Sequence, residues 1–197
     1  MKNLMKRSIV LVALMVGFLS NAENLNSAIK LSKIESKLVN LTLSQLSDNV
    51  NFEITDEEGV SLYTEFVNVA RFSKNYNFEF LSNGNYFLEF HGETKIRKIP
   101  FTIVNDELVI LEDEEKVINK PSISVDQDMV NIALRSLNKE DILDIKFYDS
   151  NDRLLYTELV TGENIIGKRI NTGELLKGAY SVILKYKGET FIEEIRK

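Results

Sequence analysis

Hydrophobic and polar residues alternate along most of the chain beyond an N-terminal apolar run. Val50, Phe52 and Ile54, for example, alternate with polar residues. Alternation with a period of two and one polar side is typical of half-buried strands. Clusters of Asp, Asn and Gly, such as residues 56–59 and 149–152, separate the strands and favour turns. Since no helical period follows the N-terminal run, the pattern predicts an all-β fold of antiparallel strands.

The second half of the chain shows the strand pattern most clearly. It predicts seven strands, at residues 122–125, 129–134, 142–148, 154–160, 166–171, 179–186 and 189–195. Seven short strands in about 80 residues are typical of an immunoglobulin-like sandwich. In the last strand Ile192 and Ile195 are three residues apart, as are Ile96 and Ile99 in the first half. This spacing breaks the period of two, so we expect a β-bulge at both places.

The chain repeats its own pattern. Residues 50–67 and 143–160 are identical at six of 18 positions, including a shared Leu-Tyr-Thr-Glu run. The motif Leu-x-x-Gly-x-Tyr occurs in both halves and is followed in both by Gly-Glu-Thr. A unit of this size used twice, in the same order, indicates tandem domains rather than a solenoid of short repeats.

We therefore predict two tandem immunoglobulin-like antiparallel β-sandwiches. The first spans residues 23–104 and the second spans residues 121–197. An acidic, solvated linker is expected at residues 105–120, with one added strand near residues 108–111. These two sandwiches are called the first repeat and the second repeat below.

The Leu-x-x-Gly-x-Tyr motif has a structural interpretation. We expect the hydroxyls of Tyr86 and Tyr180 to hydrogen-bond back to the preceding loop and so pin a corner of each sandwich. Gly84 and Gly178 are expected to adopt a positive φ in the turn before the tyrosine. The alternative is that the two tyrosines are contact platforms for a ligand.

The N-terminus resembles a targeting segment. Lys2, Lys6 and Arg7 precede an apolar run of about a dozen residues, which is the length of a signal peptide and short for a membrane span. Small residues at positions 20 and 22 predict cleavage after Ala22, so residues 1–22 are a predicted Sec signal peptide. The alternative is an uncleaved membrane anchor. We expect no stable membrane span in the mature chain and a periplasmic or extracellular location.

The amino-acid composition excludes several kinds of functional site. The 197 residues include no Cys and one His, which excludes disulfides, thiolate metal sites and cysteine nucleophiles. Lys and Arg number 24 against 30 Asp and Glu, giving a formal net charge of −6. This acidic balance argues against nucleic acid as a partner, because phosphate contacts need clustered basic residues.

No catalytic, cofactor-binding or metal-binding residue is assigned from the sequence, and no cofactor is expected. His91 is a candidate general base, with an exposed loop residue as the alternative. The acidic turns at residues 56–58 and 149–152 offer oxygen atoms for Ca²⁺, although they lack the spacing of a calcium loop and Asp and Asn also favour plain turns. Tyr63 and Tyr156 are candidates for stacking on sugars or peptides if they face outward.

The second repeat resembles a known family. The similarity rests on Phe-Tyr-Asp at residues 147–149, Asn-Asp-Arg-Leu at residues 151–154, Arg-Ile-Asn at residues 169–171, the Leu-x-x-Gly-x-Tyr motif and the basic pair Arg196-Lys197. Residues 122–197 resemble the C-terminal immunoglobulin-like sorting domains of the Bacteroidota type IX secretion system, and the first repeat is similar to a degenerate copy. The resemblance implies a β-sandwich export signal that follows a Sec signal, is cleaved on export and carries no catalytic residues.

Three functions remain open at this point. The first is an exported, non-catalytic binding protein built from two immunoglobulin-like modules, with a protein partner. In the second, the C-terminal repeat is a type IX sorting signal recognised by export machinery. The third, least supported by the residues, is a secreted hydrolase.

Overall fold

The computed structural model describes residues 29–44, 49–136, 138–162 and 164–197. Within these ranges the regular structure is β-strand, apart from one short 3₁₀ turn at Glu112–Glu114. The predicted signal peptide at residues 1–22 lies outside the described residues. None of the described residues forms a helix with the length and apolar character needed to cross a membrane.

Sixteen strands are described. The first half contains β1 Ile29–Glu35, β2 Leu38–Ser44, β3 Val50–Asp56, β4 Ser61–Val67, β5 Arg71–Asn77, β6 Gly84–His91 and β7 Lys95–Val104. Two short strands follow, β8 Glu107–Ile110 and β9 Lys116–Asn119. The second half contains β10 Ser122–Asp126, β11 Met129–Arg135, β12 Ile142–Asp149, β13 Leu154–Thr161, β14 Ile165–Asn171, β15 Ala179–Tyr186 and β16 Glu189–Arg196.

All strand pairs are antiparallel, and the two halves use the same strand order. The chain divides into two compact units. The first unit holds the sheet β1-β2-β5. The second unit holds the sheet β4-β3-β6-β7-β8, with β9 also paired to β7, and the sheets β10-β11-β14 and β13-β12-β15-β16. The order β4-β3-β6-β7 repeats as β13-β12-β15-β16, so the predicted all-β, immunoglobulin-like class with an internal repeat is confirmed.

The two sheets of the second repeat enclose one apolar core. Every predicted strand of this repeat is present with ends within one residue of the expected ones. The alternating positions face inward because each strand buries one side. The buried core side chains of the second repeat's own strands are Val130, Ile132, Leu134, Leu143, Ile145, Phe147, Ile166, Tyr180, Val182, Leu184, Tyr186 and Ile195.

The segment at residues 105–120 is not a free linker. Strand β8 pairs with the end of β7, as the expected added strand, and β9 pairs with the beginning of β7. Leu108 and Ile118 are buried, while Glu112 to Glu114 are exposed in the 3₁₀ turn. The expectation of a solvated linker is corrected, because two apolar side chains among the charged ones are enough to hold the segment on the sheet.

The expected β-bulges at the isoleucine pairs are absent. The registers of β7 with β6 and of β16 with β15 run without a shift. Residues three apart on a regular strand lie on opposite faces. Ile99 is therefore buried on one face of β7 and Ile96 on the other, where Ile96 and Ile118 join the core of the second repeat. The prediction was wrong because the two isoleucines lie on opposite faces in each strand: β7 buries both faces, whereas β16 buries Ile195 and exposes Ile192.

Candidate functional site

The two motif tyrosines form the predicted corners. The Tyr86 hydroxyl donates to the carbonyl oxygen of Ser82 at 3.1 Å. The Tyr180 hydroxyl donates to the carbonyl oxygen of Leu176 at 2.6 Å. Each bond spans four residues and fixes the loop that leads into the strand, so the structural interpretation of the motif is confirmed in both repeats.

The motif glycines act differently from the expectation. Among the described glycines, a positive φ occurs at Gly59 and Gly188 but not at Gly84 or Gly178. A Cβ added at Gly84 would lie 3.4 Å from ring atoms of Tyr86. This is an ordinary contact distance, and at Gly178 the nearest Tyr180 ring atom would lie 4.0 Å away. The positive-φ explanation is therefore wrong, and neither position needs glycine to make room for the ring.

Removing the Tyr180 hydroxyl tests the corner. We expect Tyr180→Phe to lower the free energy of unfolding by about 1 kcal/mol, because one buried hydrogen bond is lost while the ring and its packing on Phe147 remain. Denaturant unfolding measures this change. Unchanged stability in this variant would show that the bond to Leu176 does not hold the corner.

A polar cluster centred on Glu89 is the most distinctive site of the second unit. Glu89 projects from β6 and is only 4% exposed. Its carboxylate accepts a hydrogen bond from the Thr55 hydroxyl at 2.7 Å and lies 2.9 Å from the Lys98 ammonium. His91 Nε2 lies 3.0 Å from the same carboxylate. Lys98 also contacts Glu189 of the second repeat at 3.0 Å.

The contacts within this cluster favour the ionised forms of Glu89 and Lys98. Burial alone would raise the pKa of Glu89, but hydrogen bonds from His91, Lys98 and Thr55 outweigh it and lower the pKa to about 2. The pKa of Lys98 is raised, because its bonds to Glu89 and Glu189 outweigh the desolvation of its ammonium group. The cluster is thus a charged bridge between β6, β7 and β16.

His91 faces a cleft of about 400 Å³ within the second unit. The cleft is lined by polar groups that include Lys120 and by apolar groups that include Pro121 and Phe191. Burial lowers the pKa of Lys120. His91 is therefore not a plain exposed loop residue: it ends β6 and is bound to a buried carboxylate. The side-chain partner that the structure gives the His91 ring is the carboxylate of Glu89.

In the candidate acidic turns, aspartate side chains accept hydrogen bonds from backbone amides of the same turn. Asp56 accepts the amide of Val60 at 2.8 Å. Asp149 accepts the amides of Asn151 and Arg153, and these bonds lower its pKa. Such bonds are the usual reason for aspartate in turns. Across the described ranges, no group of three or more His, Asp or Glu side chains is placed to hold a metal ion.

Tyr63 and Tyr156 do not face outward. Tyr63 lies opposite the buried Ile54, packs against Phe52 and donates to Glu65 at 2.7 Å. Tyr156 packs against the core of the second repeat. The register shifts where β3 pairs β4 and where β12 pairs β13, next to these tyrosines. The expected stacking platforms are therefore corrected to half-buried core-side residues.

The two basic residues at the end of the second repeat, Arg196 and Lys197, have different surroundings. The Lys197 ammonium donates to the carbonyl oxygens of Thr172 and Gly173, and the Lys197 backbone exchanges two hydrogen bonds with Gly178. Lys197 therefore ties β16 to the Leu-x-x-Gly-x-Tyr turn. Arg196 is exposed, so it is the member of the pair that is open to a partner.

Sequence reasoning missed the residues at the centre of the cluster. Glu89 and Lys98 sit at polar positions of alternating strands, where the pattern predicts solvent. Two partners of Glu89 lie on the neighbouring strands β3 and β7, and Lys98 also reaches Glu189 of β16, 91 residues away in the chain. The one available signal was the shared Gly-Glu-Thr motif, which places Glu189 at the start of β16.

Similar structures share low sequence identity with the chain. The BSP domain of a biofilm associated protein is 16% identical, with 86% of this chain and 29% of that chain covered and a TM-score of 0.29. The chicken CNTN1 FN1-FN3 domains are 10% identical, with 87% and 65% covered and a TM-score of 0.30. The chain thus spans less than two thirds of either structure. At these TM-scores neither fold nor function is inferred from the likeness.

The comparison with protein families concerns the first repeat. No curated protein matches the chain. The family model described as the secretion system C-terminal sorting domain matches residues 33–104, from within β1 to the end of β7. This match confirms the suspected family on the first copy of the repeated pattern. The resemblance drawn from residues 122–197 stays a prediction for the second copy.

Proposed function

We propose that the chain is an exported, non-catalytic protein whose sorting-type β-sandwich is recognised by the type IX secretion machinery. The observation that carries the proposal is the match of residues 33–104 to the secretion system C-terminal sorting domain. The common strand order of the two halves supports it, because the second repeat presents the same scaffold. The proposed location is the cell surface or the medium, after passage through the periplasm by the Sec route.

A reporter fusion tests export directly. A Sec signal, a fluorescent reporter and residues 23–197 are joined in that order and expressed in a type IX-competent host. We expect the reporter outside the cell, and in the periplasm of an otherwise identical host that lacks a type IX component. A periplasmic reporter in the competent host, or equal export from both hosts, would contradict the proposal.

The fusion should carry both repeats. Ile96 and Ile118 belong to the apolar core of the second repeat, and Lys98 pairs with Glu189. A fragment that begins at residue 121 loses these contacts, so its failure would report unfolding rather than a missing signal.

Point variants locate the part that is recognised. Arg196→Glu reverses the exposed charge at the end of β16, and Lys185→Glu is its matched control on the neighbouring strand β15, where the lysine is also exposed. Loss of export in the first variant alone assigns recognition to the end of the second repeat. Export that is unchanged in both variants excludes the charge of Arg196 as the recognised feature.

A binding role is the second candidate. The cleft beside His91 favours it, because apolar walls and a few convergent polar groups are the usual lining of ligand sites. Under this proposal the cleft takes a protein segment, and substitution of Phe191 weakens capture of the partner without loss of export. The absence of an enzymatic activity belongs to the proposal and is tested by a broad hydrolase screen of the purified chain.

A further inference from the structure

The two repeats present equivalent isoleucines in opposite ways. The Gly-Glu-Thr motif aligns Ile96 of β7 with Ile192 of β16. Ile96 is 2% exposed and packs in the core of the second repeat, whereas Ile192 is 63% exposed. Ile192 lies directly opposite Ile183, on the face of the sheet that points away from its own core. The covered surface on β7 thus has an uncovered counterpart on β16.

The outer edges of β7 and β16 also differ, since one is paired and the other is not. The outer edge of β7 is paired along most of its length, with β9 at one end and β8 at the other. In the part of the chain that the structure describes, the sheet order ends at β16, and no strand pairs with its outer edge. An unpaired edge is a template for a further strand.

Equivalent charged residues on β7 and β16 indicate which side chains a strand paired with β16 would carry. Arg97 of β7 forms an ion pair with Glu115, which lies just before β9. Glu193 takes the equivalent place on β16, one residue after Ile192. It is exposed, and among the described residues it forms no ion pair. By charge complementarity, the strand that covers β16 should bring a basic residue.

Among the described residues, one strand with more basic than acidic side chains has no partner on its outer edge. Strand β1 is the edge of the sheet β1-β2-β5. Lys30 and Lys33 are exposed on it, and Ile34 is 49% exposed. The β16 strand carries Glu189, Glu193 and Glu194 against the single Arg196, whereas β1 carries two lysines against the single Glu35, so the two strands have net charges of opposite sign. Opposite charges facing each other across paired strands are stabilising.

We infer that β16 of one copy pairs with β1 of a second copy, so that the chains associate head to tail. This contact joins two different surfaces, and it leaves a free β1 and a free β16 at the two ends of each assembly, which allows further copies to add. The paired strand of the second copy places a side chain beside Ile192, as β9 places Ile118 beside Ile96. The inference is independent of the proposed export route.

Self-association of the full chain is measured by sedimentation velocity over a range of concentrations. We expect the average mass to rise with concentration and the rise to weaken with added salt, because exposed charges are screened. Ile192→Asp should return the chain to a monomer. Leu176→Asp, at a turn residue that is 83% exposed, is the matched control and should associate like the unchanged chain.

Charge reversal identifies the partner strand. Glu193→Lys alone and Lys30→Glu alone should each remain monomeric, because like charges then meet at the contact. An equal mixture of these two variants should associate, since each contact between unlike variants again joins a lysine and a glutamate. Circular dichroism confirms that each variant is folded.

Three results would overturn the inference. The unchanged chain stays monomeric at all concentrations at which it is soluble, or association survives Ile192→Asp. Alternatively, the mixture of charge-reversed variants fails to restore association, which would mean that β1 is not the partner strand.

Discussion

Replacing Ile96 with alanine is expected to lower the free energy of unfolding of the second unit by about 2–4 kcal/mol. Ile96 is almost fully buried, and it packs with Ile118 in the core of the second repeat. The loss combines the transfer of the missing methyl groups with the cavity that they leave. Denaturant unfolding, followed by circular dichroism, measures the difference.

The repeat supplies a matched control for this prediction. Ile192→Ala makes the same chemical change at the equivalent position, where the side chain is exposed. Its effect should stay within about 0.5 kcal/mol, as is usual for surface substitutions. Equal effects of the two substitutions would show that the second repeat does not depend on β7 for its core.

Acid is expected to remove about 3 kcal/mol of stability through Glu89. Folding lowers the pKa of Glu89 from 4.5 to about 2, so the folded state holds this carboxylate ionised. The stabilisation is complete above pH 4.5 and is lost as the pH falls from 4.5 towards 2, since protonation breaks the contacts with Lys98 and His91. Unfolding in urea at about pH 6 and about pH 3 measures the part of this loss that occurs above pH 3, which is about 2 kcal/mol.

Two variants assign this acid sensitivity to the cluster. Glu89→Gln should be less stable than the unchanged chain at about pH 6, and the difference should shrink at about pH 3. Lys98→Met should act in the same direction, because it removes the ion pair from the other side. The assignment fails if the difference between Glu89→Gln and the unchanged chain is the same at both pH values.

The strands of the second repeat were predictable from local signals. The alternation of apolar residues and the turn residues between them are set by a few neighbouring positions. The corner bond of Tyr180 was predictable too, because the hydroxyl reaches a carbonyl only four residues away. Features that depend on short stretches of chain were therefore accessible without the structure.

The features that failed depend on distant contacts. Ile96 looked like a break in the strand pattern because its partner surface belongs to the other repeat. Glu89 looked like a solvent-facing residue, although it is buried among Thr55, His91 and Lys98. The condition that Tyr63 faces outward is not met, because Tyr63 lies opposite the buried Ile54, next to a register shift that the sequence pattern does not show. No local pattern records packing between segments far apart in sequence.

Ile96 and Ile118 precede the second repeat in the chain but pack in its core. This affects the order in which the protein folds during synthesis. Strands β7 and β9 leave the ribosome before the second repeat, and domains usually fold from the N-terminus as they emerge. Until β10 to β16 follow, the pair Ile96 and Ile118 has no cover from the core that later encloses it. The growing chain therefore passes through a stage at which these two apolar side chains are exposed to other unfolded segments. Completion of the second repeat ends that stage.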